Sequence, residues 1–224
     1  MTTSVAKPPP PAEPAEPAEP AEPVAEQVRR RVPRAPIPMA ARVIDFGRPL
    51  TAEEFLRVPQ AAGKQELVDG RVVEMPPVGM GHGEEQLGIG SELRAWNKQH
   101  RLGRVMVETG YIFERDPDLA RRPDVSFIRS ERLPPDQKED DFIEAVPDFV
   151  VEVRSTNDRP HELIGKAEEY LAFGVPLVAV VDRKRALVEV YKRDADVVTL
   201  KAGDTFDGGD VLPGFSMPIA EMLA

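Results

Sequence analysis

The stretch of residues 149–181 limits the possible folds most, because it reads as strand, helix and strand in that order. Residues 149–153 and 177–181 are short apolar runs rich in β-branched side chains, which favours buried strands. Between them, apolar residues recur at helical spacing from Pro160 to Phe173, and Gly174 is well placed to end that helix. A connection of this kind pairs its two strands in parallel. The sequence therefore predicts an α/β protein with a mixed sheet.

The first of these strands carries an unusual charged pair. Alternation along the strand places four residues on one face, namely Asp148, Val150, Glu152 and Arg154. The other face is apolar, with Phe149, Val151 and Val153. A strand that is otherwise apolar tends to be central. Buried charges in such a strand need a metal, a phosphate or each other as partner. Glu152 is therefore a candidate site residue, and a structural ion pair between Glu152 and Arg154 is the alternative.

Composition excludes several classes of site. The chain has 224 residues, of which 41% are apolar, enough for one ordinary domain and an appendage. Cysteine is absent, so disulfides, thiolate metal sites and a cysteine nucleophile are excluded. The net charge of −10 argues against a protein that binds nucleic acid through bulk positive charge. A nuclease remains compatible with this charge, because bound metal can neutralise an acidic site.

The chain contains neither a long apolar run nor a secretory signal. No run approaches the roughly 18 apolar residues that a membrane-spanning helix needs. The N-terminus is dominated by Pro, Ala and Glu and lacks the apolar core of a signal peptide. We therefore expect a cytoplasmic protein that does not bind membranes.

The N-terminal region predicts an arm that does not join the folded core. The triplet Ala-Glu-Pro repeats from Ala12 to Pro23, and proline at every third position prevents both helix and sheet. A basic cluster follows, formed by Arg29, Arg30, Arg31 and Arg34. This cluster could bind nucleic acid or a partner electrostatically. The alternative is that it belongs to a solubilising tail. We divide the chain into a disordered arm, residues 1–45, and one domain, residues 46–224.

The first part of the domain predicts a helix, a hairpin and a second helix. Thr51 fits the first position of a capping box that opens a short helix. Asp69-Gly70, between two apolar segments, is a strong signal for a β-hairpin. A glycine-rich turn that contains His82 then leads to a helix over residues 84–99.

The rest of the domain predicts further strands and loops. The first of these are a strand of about ten residues over 105–114, a polar loop over 116–122 and a strand from Asp124. A surface loop with one helical turn follows over 129–144. After the parallel unit come a meander over 186–192 and 197–201 and a short helix after Pro218. Together with the parallel unit, these elements complete a single mixed-sheet domain.

An ordered set of motifs in this domain resembles the Uma2 family of restriction endonuclease-like proteins. The set consists of Glu66-Leu-Val-Asp-Gly, His82, Pro123-Asp124-Val, Val-Glu152-Val-Arg-Ser155, Lys166 with Tyr170 and Gly174-Val, and Val180-Val-Asp182. No single motif is specific, because Pro-Asp occurs four times, at 117, 123, 135 and 147. The order of the whole set is more specific, and it covers roughly residues 50–223.

The resemblance implies a restriction endonuclease-like fold with a β-hairpin extension and a PD-(D/E)XK site. In that site Asp124 and Glu152 would hold Mg²⁺ or Mn²⁺, and Glu66 would lie nearby. DNA would be the substrate, cleaved by attack of water on the phosphodiester. Hard oxygen ligands suit these cations, and a Lewis acid suits this reaction.

One position departs from the pattern of the parent fold. Arg154 stands where that fold has a lysine that orients the attacking water, and arginine is a poor proton-transfer group. The resemblance implies that Lys166, on the following helix, supplies the ammonium instead. Leu163 and Tyr170 share its helix face, so Lys166 can point towards the sheet. The alternative is that Lys166 extends into solvent beside the apolar stripe.

Other interpretations stay open. His82 either reaches a phosphate from its glycine-rich loop or has no chemical task. Asp124 could merely begin a strand, and Glu66 could be a solvated hairpin residue. With Arg154 in place of lysine, the protein could also be a catalytically degenerate module that binds nucleic acid or protein. A third reading is an interaction protein that works through its proline-rich arm. Cutting both strands of a duplex would suit a homodimer, although no pattern indicates one.

Overall fold

The computed structural model describes residues 32–59 and 63–224. The predicted disordered region therefore lies mostly outside the described residues, together with Arg29, Arg30 and Arg31. Residues 32–45, which the sequence placed at the end of the arm, include the first strand, β1 (Arg42–Ile44). Within the described part of the chain, no helix has the length and apolar character needed to cross a membrane.

Within residues 32–59 and 63–224, the larger of two main sheets has six strands and is mixed. Its order is β11-β10-β9-β8-β7-β4. The strands are β4 (Gly103–Val107), β7 (Val125–Arg129), β8 (Phe149–Val153), β9 (Leu177–Asp182), β10 (Leu187–Lys192) and β11 (Val198–Lys201). β8 and β9 pair in parallel, and the other neighbours are antiparallel. The predicted mixed sheet and its parallel crossover are confirmed.

The second main sheet has five strands and contains the hairpin. Its order is β1-β3-β2-β6-β5. Besides β1, the strands are β2 (Gln65–Val68), β3 (Arg71–Glu74), β5 (Tyr111–Glu114) and β6 (Leu119–Arg121). Asp69 and Gly70 both have positive φ, 50° and 72°, as a two-residue hairpin turn with the twist of its strands requires. The hairpin predicted at Asp69-Gly70 is confirmed.

Among the described residues, four α-helices accompany the sheets, and a 3₁₀ helix (Ser130–Arg132) forms the helical turn predicted within residues 129–144. The α-helices are α1 (Ala52–Leu56), α2 (Met80–His100), α3 (Pro160–Phe173) and α4 (Ile219–Met222). Thr51 caps α1 in a capping box with Glu54, as predicted. Gly174 ends α3 in the left-handed conformation, with φ 103°, also as predicted. A short two-stranded sheet of β12 (Thr205–Asp207) and β13 (Ser216–Pro218) precedes α4.

The central strand β8 separates two apolar cores. Phe149, Val151 and Val153 face a core that α2 and the C-terminal elements complete, with side chains such as Leu93 and Phe206. Val150 faces the opposite core, which α3 covers with side chains that include Leu163, Ala167 and Tyr170. The predicted alternation is therefore correct, and the polar face of β8 lies under α3.

Three predicted elements differ from the structure. The strand expected over 105–114 is two strands in different sheets, because Glu108 takes a positive φ of 46° and turns the chain. The polar loop expected over 116–122 contains the buried strand β6, because tertiary pairing with β2 and β5 overrides its local polarity. Helix α2 begins at Met80, so His82 lies in its first turn rather than in a loop.

Candidate active site

The site forms where the two main sheets meet beneath α3. Asp124 directly precedes β7, and Glu152 lies in the neighbouring strand β8, where Val125 pairs with Val151. The backbone N–H of Val153 donates a hydrogen bond of 2.7 Å to Asp124 Oδ2. Strand pairing therefore brings the two carboxylates together across 28 positions of sequence and fixes one oxygen of Asp124.

Helix α3 holds Glu152 through two of its side chains. The hydroxyl of Tyr170 donates to Glu152 Oε1 at 2.8 Å, and Lys166 Nζ lies 2.9 Å from the same oxygen. The two residues are four apart, so they lie on one helix face. Lys166 thus points inwards, with only 12% of its side chain exposed, and the alternative in which it extends into solvent is not observed.

Glu66 reaches the same place from the smaller sheet. It lies in β2, is fully buried, and accepts from Lys166 Nζ at 2.8 Å through Oε1. Its other oxygen accepts from Arg121 Nη1 at 2.8 Å. The structure therefore brings together Asp124, Glu152, Lys166 and Glu66, the four residues for which the sequence predicted a direct role. Glu66 is not a solvated hairpin residue.

Lys64 is a fifth site residue that the sequence analysis missed. Its ammonium lies 2.6 Å from Asp124 Oδ1. His82 Nε2 is 3.5 Å from the same oxygen, so the predicted supporting histidine does reach the site. The available signal was position, because Lys64 lies two residues before Glu66 and alternation places both on one strand face.

Arg121 and Glu169 form a buried support behind the site, also unforeseen. The guanidinium of Arg121 is 3% exposed and donates to both oxygens of Glu169, from Nε at 2.8 Å and Nη2 at 3.1 Å. Its remaining contact is the one with Glu66. Two hydrogen bonds to one carboxylate fix the direction of the guanidinium. Glu66 is therefore held at one carboxylate oxygen by Arg121 and at the other by Lys166. The signal for Glu169 was its position three residues after Lys166 on α3.

Arg154 is directed away from this cluster. Its Nη1 lies 2.8 Å from Asp182 Oδ2, and its Nε and Nη2 each donate to the Asp158 carbonyl at 3.2 Å. The structural ion pair between Glu152 and Arg154 is therefore not formed. In this structure Arg154 fixes the loop after β8 to the end of β9, and the lysine that contacts Glu152 is Lys166.

Two of the carboxyls are held in the ionised form. Burial alone would raise the pKa of Asp124, but Lys64 and His82 hold it below its usual range. Burial likewise opposes ionisation of Glu66, and Lys166 and Arg121 lower its pKa below the usual range. Both carboxylates are therefore available as anionic groups at neutral pH.

The other groups shift upwards. Burial raises the pKa of Glu152, and the nearby charges of Asp124 and Glu66 add to the effect, although Lys166 opposes it. Burial would lower the pKa of Lys166, but Glu152 and Glu66 raise it above its usual value. The pKa of His82 also rises, because contact with Asp124 outweighs burial. The site therefore holds positive charge opposite its carboxylates at neutral pH.

A segment before β1 covers part of the site. Residues 32–41, which we call the N-terminal strap, pass along α3, and Ala35, Pro36 and Pro38 line the same pocket as Lys64, Asp124 and Glu152. The N–H of Ala35 donates to Glu169 Oε2 at 2.7 Å, and that of Met39 donates to Glu162 Oε1 at 2.8 Å. The strap therefore forms one wall of the pocket.

The carboxylates define which ion the site could hold. Among the described residues, no three His, Cys, Asp or Glu side chains converge in a way that could hold a metal. Asp124 and Glu152 offer a pair of hard oxygen donors, and Mg²⁺ commonly binds to one or two carboxylates while retaining water or substrate oxygens. The chemistry of the donor set thus fits Mg²⁺ or Mn²⁺ rather than a metal that requires several histidines or thiolates.

A comparison with solved structures found a protein of similar fold. One solved structure that matches is described as the crystal structure of a putative nuclease belonging to DUF820 from Anabaena variabilis. The two share 20% sequence identity, with a TM-score of 0.66, over 78% of this chain and 98% of the other. The likeness shows that the two proteins share a fold, and it confirms the fold predicted from the sequence.

The family follows from the sequence match. Uma2, described as "Putative restriction endonuclease", matches residues 52–220, well over half of the chain. The chain therefore belongs to the Uma2 family, as the order of its motifs indicated. A comparison with curated proteins found no match.

Proposed function

We propose that this Uma2 protein is a metal-dependent endonuclease that hydrolyses phosphodiester bonds of DNA. The observation that carries the proposal is the convergence of Asp124, Glu152 and Lys166 in one pocket. Two carboxylates supply hard donors for a cation, and an ammonium beside them supplies positive charge for a phosphate. Family membership and the shared fold support the same class of activity.

In this proposal Asp124 and Glu152 hold Mg²⁺ or Mn²⁺. A bound divalent ion would polarise the phosphoryl group and lower the pKa of a water molecule. Asp124 is suited to binding because its Oδ2 is fixed by the Val153 N–H. Glu152 is suited because Tyr170 and Lys166 fix its Oε1. Preorganised ligands need little rearrangement when the ion binds.

Lys166 takes the role that the parent fold gives to a lysine two residues after the glutamate, the position of Arg154 in this chain. The ammonium of Lys166 is fixed by Glu66 at 2.8 Å and Glu152 at 2.9 Å. Placed there, it can orient a water molecule and stabilise the negative charge that develops on the phosphate. Glu66, held by Arg121, then acts by positioning Lys166. His82, beside Asp124, is suited to donate to a phosphate oxygen.

The test is cleavage by purified protein of supercoiled plasmid, single-stranded DNA and RNA. Each substrate is incubated with Mg²⁺, with Mn²⁺ and with chelator. We expect metal-dependent nicking that is lost in Asp124→Asn and kept in Asp140→Asn, an exposed aspartate used as the matched control. Equal cleavage by Asp124→Asn prepared in parallel would reveal a contaminating nuclease and refute the assignment. The RNA and single-strand reactions decide the substrate.

A second function is supported by a specific observation. The carboxylates of the site are already paired with Lys64 and Lys166, and Arg154 is tied to Asp182. In a family member that has lost catalysis and only binds nucleic acid or protein, we expect the carboxylates to be paired with the protein's own cations in this way. Binding to DNA in chelator, with no cleavage under any metal condition, would favour this function. Sedimentation of the same samples would decide whether a homodimer forms.

A further inference from the structure

Lys64 stands where a cation bound to Asp124 would be expected. Its Nζ lies 2.6 Å from Asp124 Oδ1. The other oxygen, Oδ2, accepts the backbone N–H of Val153, so Oδ1 is the oxygen that faces the pocket. His82 Nε2 lies 3.5 Å from it. A metal ion that used Asp124 would therefore compete with the ammonium of Lys64.

The carboxylates around the site are already paired with cations. Glu66, Asp124 and Glu152 contact two ammonium groups, and Glu66 also shares the guanidinium of Arg121 with Glu169. A divalent ion added to this buried set would leave uncompensated positive charge, which is costly in a site shielded from water. Unless an anion binds together with the metal ion, one of the cationic side chains has to leave its carboxylate.

The contacts identify which cation can leave. Arg121 is 3% exposed and donates to two carboxylates, and Lys166 contacts both Glu66 and Glu152. Among the described residues, Lys64 has one carboxylate partner within salt-bridge distance, Asp124, whereas Lys166 has two. The stem of Lys64 has four rotatable carbons, so the ammonium can turn towards the pocket without movement of β2.

We propose that Lys64 is a displaceable cation, which neutralises Asp124 in the metal-free protein and moves to the substrate phosphate when a divalent ion takes its place. This inference rests on the proposed nuclease function. It gives the site two lysines with different tasks: Lys166 stays between its carboxylates, and Lys64 changes partner. The displacement also couples binding of the metal ion to binding of the nucleic acid, because the phosphate balances the charge that the ion adds.

The first test measures the reactivity of each lysine in the full-length protein. Reductive methylation with formaldehyde and cyanoborohydride is followed by mass spectrometry, in chelator and in saturating Mn²⁺ without nucleic acid. Lys64 should be protected in chelator and become several-fold more reactive in Mn²⁺. Lys138, which is 80% exposed, should react equally in both and serves as internal reference. Lys166 should stay protected in both.

The outcomes separate this inference from the proposed function. Calorimetry on the same protein first measures Mn²⁺ binding. If Mn²⁺ does not bind, both the metal site and the displacement are wrong. If Mn²⁺ binds and Lys64 remains protected, the displacement alone is wrong and the nuclease proposal stands.

A variant gives a second, independent readout. Lys64→Met should bind Mn²⁺ about tenfold more tightly or better, because the competing cation is gone, and yet should cleave more slowly, because the ammonium for the phosphate is gone. A lysine with a purely structural role would lower both quantities or neither. Lys138→Met is the matched control and should change neither.

Discussion

The ammonium of Lys166 lies 2.8 Å from the carboxylate of Glu66, although 100 positions of sequence separate the two residues. Glu66 belongs to β2 of the five-stranded sheet, and Lys166 also contacts Glu152 in β8 of the six-stranded sheet. One side chain on α3 therefore links the two sheets. The residues proposed for catalysis also stabilise the junction, so their substitution should affect stability as well as cleavage.

Replacing Lys166 should destabilise the fold. Lys166→Met leaves Glu66 and Glu152 without the cation between them, and breaking a buried pair in this way typically costs about 3–5 kcal/mol. Urea unfolding followed by circular dichroism measures the change in the free energy of unfolding. Lys138→Met removes an equal charge from an exposed position and should change that free energy by less than about 0.5 kcal/mol. Equal effects of the two variants would contradict the proposed link.

Substitutions of Lys166 and of Arg154 should have different effects on the cleavage rate. Lys166→Met should lower the cleavage rate on the order of 100-fold or more, because the group proposed to orient water is lost. Arg154→Lys should stay within a few-fold of wild type, because Arg154 contacts Asp182 and the Asp158 carbonyl rather than the carboxylates. Rates are compared at a temperature where both variants are folded. A larger loss in Arg154→Lys would assign the role to the arginine.

Stability should fall in acid partly through Glu66. Burial opposes its ionisation, but Lys166 and Arg121 hold the pKa of Glu66 in the folded protein below its unfolded value of about 4.3. The unfolded chain therefore binds the proton first, so the stabilisation is complete above about pH 5 and is lost as the pH falls through the folded pKa. The slope from this one group is at most about 1.4 kcal/mol per pH unit.

The measurement is the free energy of unfolding in urea between pH 3 and pH 7. Glu66→Gln should flatten the acid slope relative to wild type, whereas Glu139→Gln, at an exposed position, should keep it. Parallel curves for wild type and Glu66→Gln would mean that Glu66 has no lowered pKa in the folded protein.

Local patterns indicated part of the site, and the resemblance to the Uma2 family supplied the rest. Alternation along β8 separated Glu152 from the apolar face of the strand. Helical spacing showed that Lys166 can share a face with Leu163 and Tyr170, which the structure confirms. Asp124 and the role of Lys166 were predicted from the order of the family's motifs, because no local period distinguishes Asp124 from a residue that merely begins a strand.

The support behind the site could not be predicted in this way. Arg121 looked like part of a polar loop, and its burial depends on the pairing of β6 with β2 and β5. Its partners Glu169 and Glu66 lie 48 and 55 positions away. Lys64 contacts Asp124 across 60 positions. Alternation and helical spacing indicate only the face on which Lys64 and Glu169 lie. The contacts themselves arise when the two sheets and α3 pack together.

The contact between the N-terminal strap and α3 gives a final prediction. A Cβ at Gly165 would lie 2.6 Å from Pro36 Cδ and 3.8 Å from Ala35 Cα, too close to the rigid proline ring. Gly165→Ala should therefore destabilise the protein by about 1–3 kcal/mol, the usual cost of overpacking. Gly88→Ala is the matched control, because no atom lies within 4 Å of a Cβ at that helical glycine. It should stabilise the protein by about 0.5–1 kcal/mol through helix propensity.

The double variant Pro36→Ala/Gly165→Ala isolates the contact. Removal of the proline ring makes room for the new methyl group, so the second substitution should cost less in the Pro36→Ala background than in wild type. Urea unfolding of the four proteins gives the coupling free energy. Because the strap forms a wall of the pocket, Gly165→Ala should also increase the accessibility of Lys64 to reductive methylation in chelator. Additive effects on stability and unchanged labelling would show that the strap does not lie on Gly165 in solution.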